Sequence, residues 1–162
     1  AAAAVAWSLG FGADQIKAGL EQVQPVNGRL QPRQGKNNTL LIDDSYNANP
    51  ASLRCAIQAL TRKEGHRVLV IGNMAELGSE SESFHRAAGR YAREKGIQQL
   101  LTTGTLAALS AEEFGIGASH YENCDELSEA LLDLLAPNVS VLIKGSRSAH
   151  MERVVEVLLD AE

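Results

Sequence analysis

Three polar segments of the sequence follow apolar runs that are typical of buried strands, and each carries groups able to hold a ligand. They are residues 43–50 (DDSYNANP), residues 72–82 (GNMAELGSESE) and residues 144–150 (KGSRSAH). A fourth such position, residues 102–104 (TTG), carries no comparable groups. Ligands bind beyond the carboxyl ends of the strands in an open α/β sheet, so the three segments form the candidate site.

The first segment offers acids and amides. Asp43 and Asp44 could hold a ribose hydroxyl, a metal ion or an ammonium group, and Asn47 and Asn49 can each donate and accept hydrogen bonds. The same composition is typical of an Asx-rich turn that caps the next helix, and Asn49 stands directly before Pro50. Both interpretations stay open for Asn49 and for Asp44.

The other two segments offer charged groups. Lys144 and Arg147 lie at a predicted helix start, which makes an anion site for a carboxylate or a phosphate; a solvated charged loop is the alternative. The segment 72–82 is long for a connection, and Glu76 is its candidate. His85, on the helix that follows, is a further possible site residue.

The composition argues against several classes of protein. Hydrophobic residues make up 44% and charged residues 22%, as in globular domains. The net charge of −5 and the lack of a basic stripe argue against nucleic-acid binding. The longest apolar run, residues 1–7, is too short to span a bilayer. No zinc-ligand spacing, phosphate-loop pattern or nucleophile elbow occurs, so no metal ligand is assigned.

Apolar periodicity and turn residues divide the start of the chain into elements. Residues 1–9 predict a helix, and Asp14 could cap a second helix that is broken at Pro25. Two extended runs, residues 29–34 and 39–44, flank the turn GKNN and predict a hairpin.

Beyond the hairpin, strand and helix alternate, which predicts a mostly parallel sheet covered by helices. Right-handed crossovers then give an α/β fold with a Rossmann-like, doubly wound sheet and an N-terminal β-hairpin. The predicted strands are residues 39–43, 67–72, 98–104, 119–122 and 139–145, and the predicted helices are residues 50–62, 81–95, 105–114, 125–135 and 149–159.

Four segments in this order resemble the C-terminal part of the Mur ligases. They are NGRLQ (27–31), IDDSYNANPASL (42–53), VLVIGNMAELGSESESFH (68–85) and VLIKGSRSAHME (141–152). DSYNANP and KGSRS point to the MurF type within that family. The combination is specific, and the resemblance covers essentially the whole chain.

The resemblance implies the C-terminal domain of an ATP-dependent amide ligase of the bacterial cytoplasm. Such enzymes use ATP and Mg²⁺ to activate the carboxylate of UDP-MurNAc-tripeptide as an acyl phosphate, which the amino group of D-Ala-D-Ala attacks. Residues 1–26 would be the last helices of the central ATP-binding domain, and residues 27–162 the C-terminal domain. With the phosphate loop and magnesium ligands on parts of the enzyme outside this chain, the chain alone is expected to be monomeric and inactive.

The resemblance also implies roles for particular residues. Arg29, Asp44 and Tyr46 match nucleotide-binding positions. The amino substrate is assigned to Asn47, Asn49, Lys144, Ser146 and Arg147, with Glu76 and His85 as possible additions. Asn73 stands where family members often have Asp.

Two alternatives belong to other functional classes. A nucleotide-binding module without chemistry of its own would carry the same polar loops. A phosphoacceptor receiver domain would also place acids after its first strand and a lysine after its last, but it needs an acceptor Asp at residues 102–104, which read TTG.

Overall fold

A six-stranded sheet forms the centre of the computed structural model, which describes residues 1–23 and 26–160. Its strand order is β1-β2-β6-β3-β4-β5, with β1 antiparallel to β2 and every other neighbouring pair parallel. The strands are β1 Gln31–Gln34, β2 Leu40–Asp44, β3 His66–Ile71, β4 Gln99–Thr103, β5 Ala118–Tyr121 and β6 Val139–Lys144. The predicted α/β, mostly parallel, doubly wound sheet is confirmed.

The predicted hairpin at the start of the sheet is also confirmed. Gln31 pairs with Asp43 and Gln34 with Leu40 across the turn. Asn37 and Asn38 in that turn have φ angles of 57° and 58°, a left-handed conformation that asparagine tolerates better than most residues. Local turn chemistry therefore sets where β2 begins.

The position of β6 brings the polar segments together. After β5 at the far edge, the chain returns and inserts β6 between β2 and β3. Asp44 at the end of β2 then pairs in register with Lys144 at the end of β6, and Lys144 pairs with Ile71 at the end of β3. The loops that follow β2, β3 and β6 consequently leave one edge of the sheet side by side.

Seven α-helices lie in the described residues, and each was predicted. Most begin within two residues of the predicted position, but Gly12, not Asp14, is the N-cap of the second helix, and the last helix begins three residues later than predicted because His150 is left-handed at φ 50°. The predicted break at Pro25 lies outside the described residues. The helices are α1 Ala2–Ser8, α2 Ala13–Glu21, α3 Pro50–Thr61, α4 Ser81–Glu94, α5 Ala107–Phe114, α6 Cys124–Leu132 and α7 Glu152–Leu158.

Two apolar layers cover the faces of the sheet. Leu69 and neighbouring side chains pack against α3, α4 and α5, whereas Val70, the next residue of β3, packs against α6 and α7. All six residues of β6 are buried, as expected for a parallel strand covered on both faces. Burial on both faces fixes the register of β6 and thereby the position of Lys144.

The first two helices differ from the other five described α-helices in burial. No residue of α1 or α2 is buried, and Trp7 and Leu20 are among their exposed apolar side chains. The division of the chain at residues 26 and 27 stays a prediction.

The contact between α4 and α5 provides a test of the fold. A Cβ at Gly89 in α4 would overlap the carbonyl oxygen of Ser110 in α5, whereas a Cβ at Gly19 in α2 would have no neighbour within 4 Å. We expect Gly89→Ala to lower the free energy of unfolding by about 1–3 kcal/mol through overpacking. Gly19→Ala, the control, should raise it by about 0.5–1 kcal/mol because alanine favours the helix. Urea denaturation measures both, and an equal response of the two variants would contradict the α4–α5 packing.

Candidate functional site

The three polar loops are joined to one another by hydrogen bonds. The backbone N–H of Ser146 donates to the carbonyl of Asn73 at 2.9 Å, and that of Gly72 donates to the carbonyl of Lys144 at 2.9 Å. The Lys144 ammonium donates to the carbonyl of Asn47 at 2.7 Å. The loops after β2, β3 and β6 therefore form one connected surface.

A buried ion pair lies at the centre of this surface. The Nζ of Lys144 is 2.6 Å from Oδ2 of Asp44, and their side chains are 2% and 11% exposed. The other carboxylate oxygen of Asp44 accepts a hydrogen bond from the backbone N–H of Leu30 at 3.1 Å. Burying a charge is costly unless it is paired and hydrogen-bonded, and this pair satisfies both conditions.

Lys144 and Ser146, which the sequence assigns to the amino substrate, both have partners within the chain, and their binding of substrate stays a prediction. The Lys144 ammonium is buried and directed at Asp44 and at the Asn47 carbonyl, because the register of β2 and β6 places Lys144 opposite Asp44. Ser146 is 2% exposed, and its hydroxyl lies 3.1 Å from that of Ser148. Both residues support the loops from within.

An open cavity of about 520 Å³, here called the Arg29 cavity, lies on one side of residues 45–49. The guanidinium of Arg29 stands 4.6 Å from the ring centroid of Tyr46, a cation–π contact. Gly28 has a φ angle of 70°, and a Cβ there would lie 2.9 Å from the Tyr46 nitrogen, so a larger residue would separate the two segments. The lining residues are Gly28, Arg29, Leu30, Asp44, Tyr46, Asn47, Asn49, Ser52, Cys55 and Lys144.

A second open cavity of about 510 Å³, the Arg147 cavity, lies on the other side of the same loop. The Arg147 side chain is 69% exposed, and its nearest acid is Glu152 at 3.6 Å. Glu76 and His150 both have left-handed backbones, with φ angles of 61° and 50°, a strained state that is enriched at ligand sites. The lining residues are Asn47, Ala48, Asn49, Ala75, Glu76, Leu77, Arg147, Ser148 and His150.

The two cavities share Asn47 and Asn49 as a wall. Oδ1 of Asn49 accepts the Ser52 backbone N–H at 2.8 Å, and the Ser52 hydroxyl accepts the Asn49 N–H at 3.1 Å. This reciprocal pair is a capping box, so the helix-capping interpretation of Asn49 is confirmed. Oδ1 of Asn47 accepts the N–H of Ala48 at 2.8 Å. Substrate binding by either side chain stays a prediction.

Comparison with known proteins assigns the chain to a family. The sequence profile of the Mur ligase, glutamate ligase domain matches residues 28–147. The chain belongs to the Mur ligase family. It is 45% identical over 160 residues to UDP-N-acetylmuramoyl-tripeptide–D-alanyl-D-alanine ligase from Escherichia coli, a match that covers 98% of this chain and 35% of that enzyme. The chain thus spans about a third of the length of the curated Mur ligases it matches.

Solved structures of Mur ligases have the same fold. MurF from Acinetobacter baumannii superposes with a TM-score of 0.83 and 36% identity, over 94% of this chain and 34% of that chain. MurF from Thermotoga maritima in complex with ADP superposes with a TM-score of 0.79 and 29% identity, over 95% of this chain and 35% of that chain. The Mur ligase resemblance of the sequence is therefore confirmed.

Membrane-spanning helices and metal-binding clusters are both absent from the part of the chain that the structure describes. Within residues 1–23 and 26–160, no helix is long and apolar enough to cross a bilayer. Over the same ranges, no group of three or more His, Cys, Asp or Glu side chains is arranged to hold a metal ion.

Asn73 has a structural role that the sequence did not reveal. Its Oδ1 accepts the backbone N–H groups of Leu106 and Ala107, at 3.1 and 2.9 Å, where α5 begins. An aspartate oxygen could accept the same two bonds, so Asn or Asp at this position of a Mur ligase can satisfy the start of α5. The residues around Asn73 in the sequence do not indicate this role, because the helix whose first N–H groups it accepts starts more than 30 residues later.

His85 is buried and lines neither cavity. Its Nε2 accepts the N–H of Met74 at 2.9 Å, so Nδ1 carries the proton and donates to the Ser81 carbonyl at 2.7 Å. Burial lowers the pKa of the imidazole below its usual range, against the hydrogen bond to Ser81, which raises it. The neutral ring therefore connects the loop after β3 to the start of α4 through these two hydrogen bonds.

We expect His85→Ala to destabilise the chain, because it leaves the buried N–H of Met74 without its acceptor. An unpaired buried donor costs about 1–3 kcal/mol. The unfolded chain binds a proton at His85 near pH 6.5 and the folded chain does not, so wild-type stability falls as pH drops below about 6.5. The His85→Ala variant cannot lose stability in this way. The difference in free energy of unfolding between wild type and variant should therefore shrink from pH 7 to pH 5.

Denaturation at several pH values measures this difference. His150→Asn is the matched control, because its side chain is 64% exposed and asparagine tolerates the left-handed backbone. A pH-independent difference for His85→Ala would show that the ring is not held neutral.

Proposed function

We propose that this chain supplies the nucleotide and amine contacts of a MurF-type ligase that joins D-Ala-D-Ala to UDP-MurNAc-tripeptide in the bacterial cytoplasm. The observation that carries the proposal is the pair of cavities on either side of residues 45–49, one with Arg29 and one with Arg147. Two substrates bound there would meet at a common wall. The names of the related enzymes and the ADP in the T. maritima structure support the same proposed function.

The reaction is an amide synthesis driven by ATP. The carboxylate of the tripeptide attacks the γ-phosphorus of ATP, which gives an acyl phosphate and ADP. The amino nitrogen of D-Ala-D-Ala then attacks the acyl carbon, phosphate leaves, and the nitrogen loses a proton as the amide forms. The acyl phosphate must be shielded from water, which favours a domain that closes over the site. Residues 1–26 would belong to the neighbouring ATP-binding domain, and the enzyme would act as a monomer.

The residues of the Arg29 cavity fit a nucleotide. The planar guanidinium of Arg29 suits bidentate contact with phosphate oxygens, and Tyr46 offers an aromatic ring beside it. Both Asp44 oxygens already accept hydrogen bonds, yet a carboxylate has about four lone-pair positions, so a ribose hydroxyl can donate to the remainder. Magnesium would accompany the ATP, with ligands that we do not assign to residues of this chain.

The residues of the Arg147 cavity fit a short peptide with a free carboxylate. The exposed guanidinium of Arg147 can take that carboxylate in a bidentate pair. The amides of Asn47 and Asn49 stand on the shared wall and can bind peptide groups. Glu76 adds one acid to the same cavity.

Titration of the ¹⁵N-labelled chain tests the placement of the two ligands. We expect ATP–Mg²⁺ to shift amide signals of residues 28–30 and 44–47, and D-Ala-D-Ala to shift those of residues 75–77 and 147–150. Shifts with ATP alone would favour a nucleotide-binding module without chemistry. Shifts elsewhere in the chain would contradict the assignment of the cavities.

Kinetics of the complete ligase test Arg147 directly. Loss of a hydrogen bond to a charged group costs about 1.5–3 kcal/mol, so Arg147→Ala should raise KM for D-Ala-D-Ala about 10- to 100-fold and leave KM for ATP unchanged. Arg153→Ala is the matched control, since Arg153 pairs with Asp125 on the surface and lines neither cavity. An unchanged KM for the dipeptide in Arg147→Ala would remove Arg147 from the site.

A further inference from the structure

The Lys144 ammonium lies where three segments of the chain converge. It donates to Oδ2 of Asp44 at 2.6 Å and to the backbone carbonyl of Asn47 at 2.7 Å. Asp44 in turn accepts the N–H of Leu30, the residue next to Arg29. One buried cation thus connects the end of β6, the loop after β2 and the segment that carries Arg29.

We propose that Lys144 is a positioning residue that holds the shared wall in place for both cavities at once. The proposal rests on the proposed function for the identity of the two ligands. Lys144 borders the Arg29 cavity and does not line the Arg147 cavity, and its ammonium reaches the wall of the second cavity through the Asn47 carbonyl.

The anchoring of residues 45–49 shows why the middle of the loop needs the cation. The first part is held by Asp43, whose Oδ1 accepts the N–H and the hydroxyl of Ser45 at 3.0 and 2.6 Å. The last part is held by the capping box of Asn49. Asn47, between them, is tied to the sheet through its carbonyl and the Lys144 ammonium. Without that donor, the carbonyl would turn to water and move the Asn47 side chain on the wall.

A second connection runs from Lys144 to Arg29. The Leu30 backbone is left-handed, with a φ angle of 47°, and its N–H is held by Asp44. An Asp44 carboxylate that has lost its cation is a buried unpaired charge, which favours rotation toward water or protonation. Either change weakens the bond to Leu30 and frees the segment that positions Arg29.

Three variants separate positioning from general stability. Lys144→Met removes the ammonium and leaves Asp44 unpaired. The double variant Lys144→Met with Asp44→Asn removes both charges. Because no unpaired charge is then left buried, we expect the fold of the double variant to stay intact. Asp44→Asn alone still offers Lys144 an accepting amide oxygen in place of the carboxylate, so the ammonium keeps its bond to the Asn47 carbonyl and the variant is the matched control for the Arg147 cavity.

Hydrogen exchange on this chain gives a readout that does not depend on any ligand. The N–H of Tyr46 is bonded to the Gly28 carbonyl and that of Ala48 to Asn47 Oδ1. We expect exchange at both amides to rise about tenfold or more in the double variant, while the amide of Val70 in β3 keeps its protection. Unchanged protection at Tyr46 and Ala48 would overturn the proposal.

Kinetics of the complete ligase give the functional readout. The double variant should raise KM for ATP and KM for D-Ala-D-Ala about tenfold each and leave KM for UDP-MurNAc-tripeptide unchanged, whereas Asp44→Asn alone should raise KM for ATP only. A dipeptide KM that stays at the wild-type value in the double variant would overturn the proposal. Failure of the proposed function is distinguishable, because it would appear as a wild-type ligase without D-Ala-D-Ala turnover.

Discussion

The ion pair between Lys144 and Asp44 is the interaction on which the arrangement of the site depends. Its partners are 100 residues apart in sequence and face each other at the ends of two parallel strands. Taking both charges out of water is unfavourable, and the pair persists because the Leu30 N–H and the Asn47 carbonyl supply further hydrogen bonds. Such a buried pair fixes the relative positions of the segments it joins more than it adds to the free energy of unfolding.

The sheet makes that pair possible. Insertion of β6 between β2 and β3 places three loops at one edge, and burial of β6 on both faces leaves no freedom to shift its register. The loop after β2 then divides the edge into two cavities, each with one arginine.

Polar residues around the cavities fall into those that face the openings and those that hold the loops. Arg29, Tyr46 and Arg147 belong to the first group. His85, Asn73 and Lys144 belong to the second, because their hydrogen bonds go to backbone groups or to a buried acid. An Asp at the Asn73 position would keep the same start of α5, since either residue supplies the accepting oxygen.

The sequence by itself determined the elements, the fold class and the family. Alternating apolar runs, turn residues and the DSYNANP and KGSRS segments are local signals, and the strands and the hairpin followed from them, whereas the structure decided that Asn49 caps a helix. The tertiary structure decided which polar side chains face a cavity. Lys144 looked like a ligand for a carboxylate, but strand order and register placed Asp44 beside it; His85 and Asn73 likewise found partners in other segments of the chain. The sequence gives the charge of each side chain, whereas the packing of segments that are distant in the chain decides which group that side chain contacts.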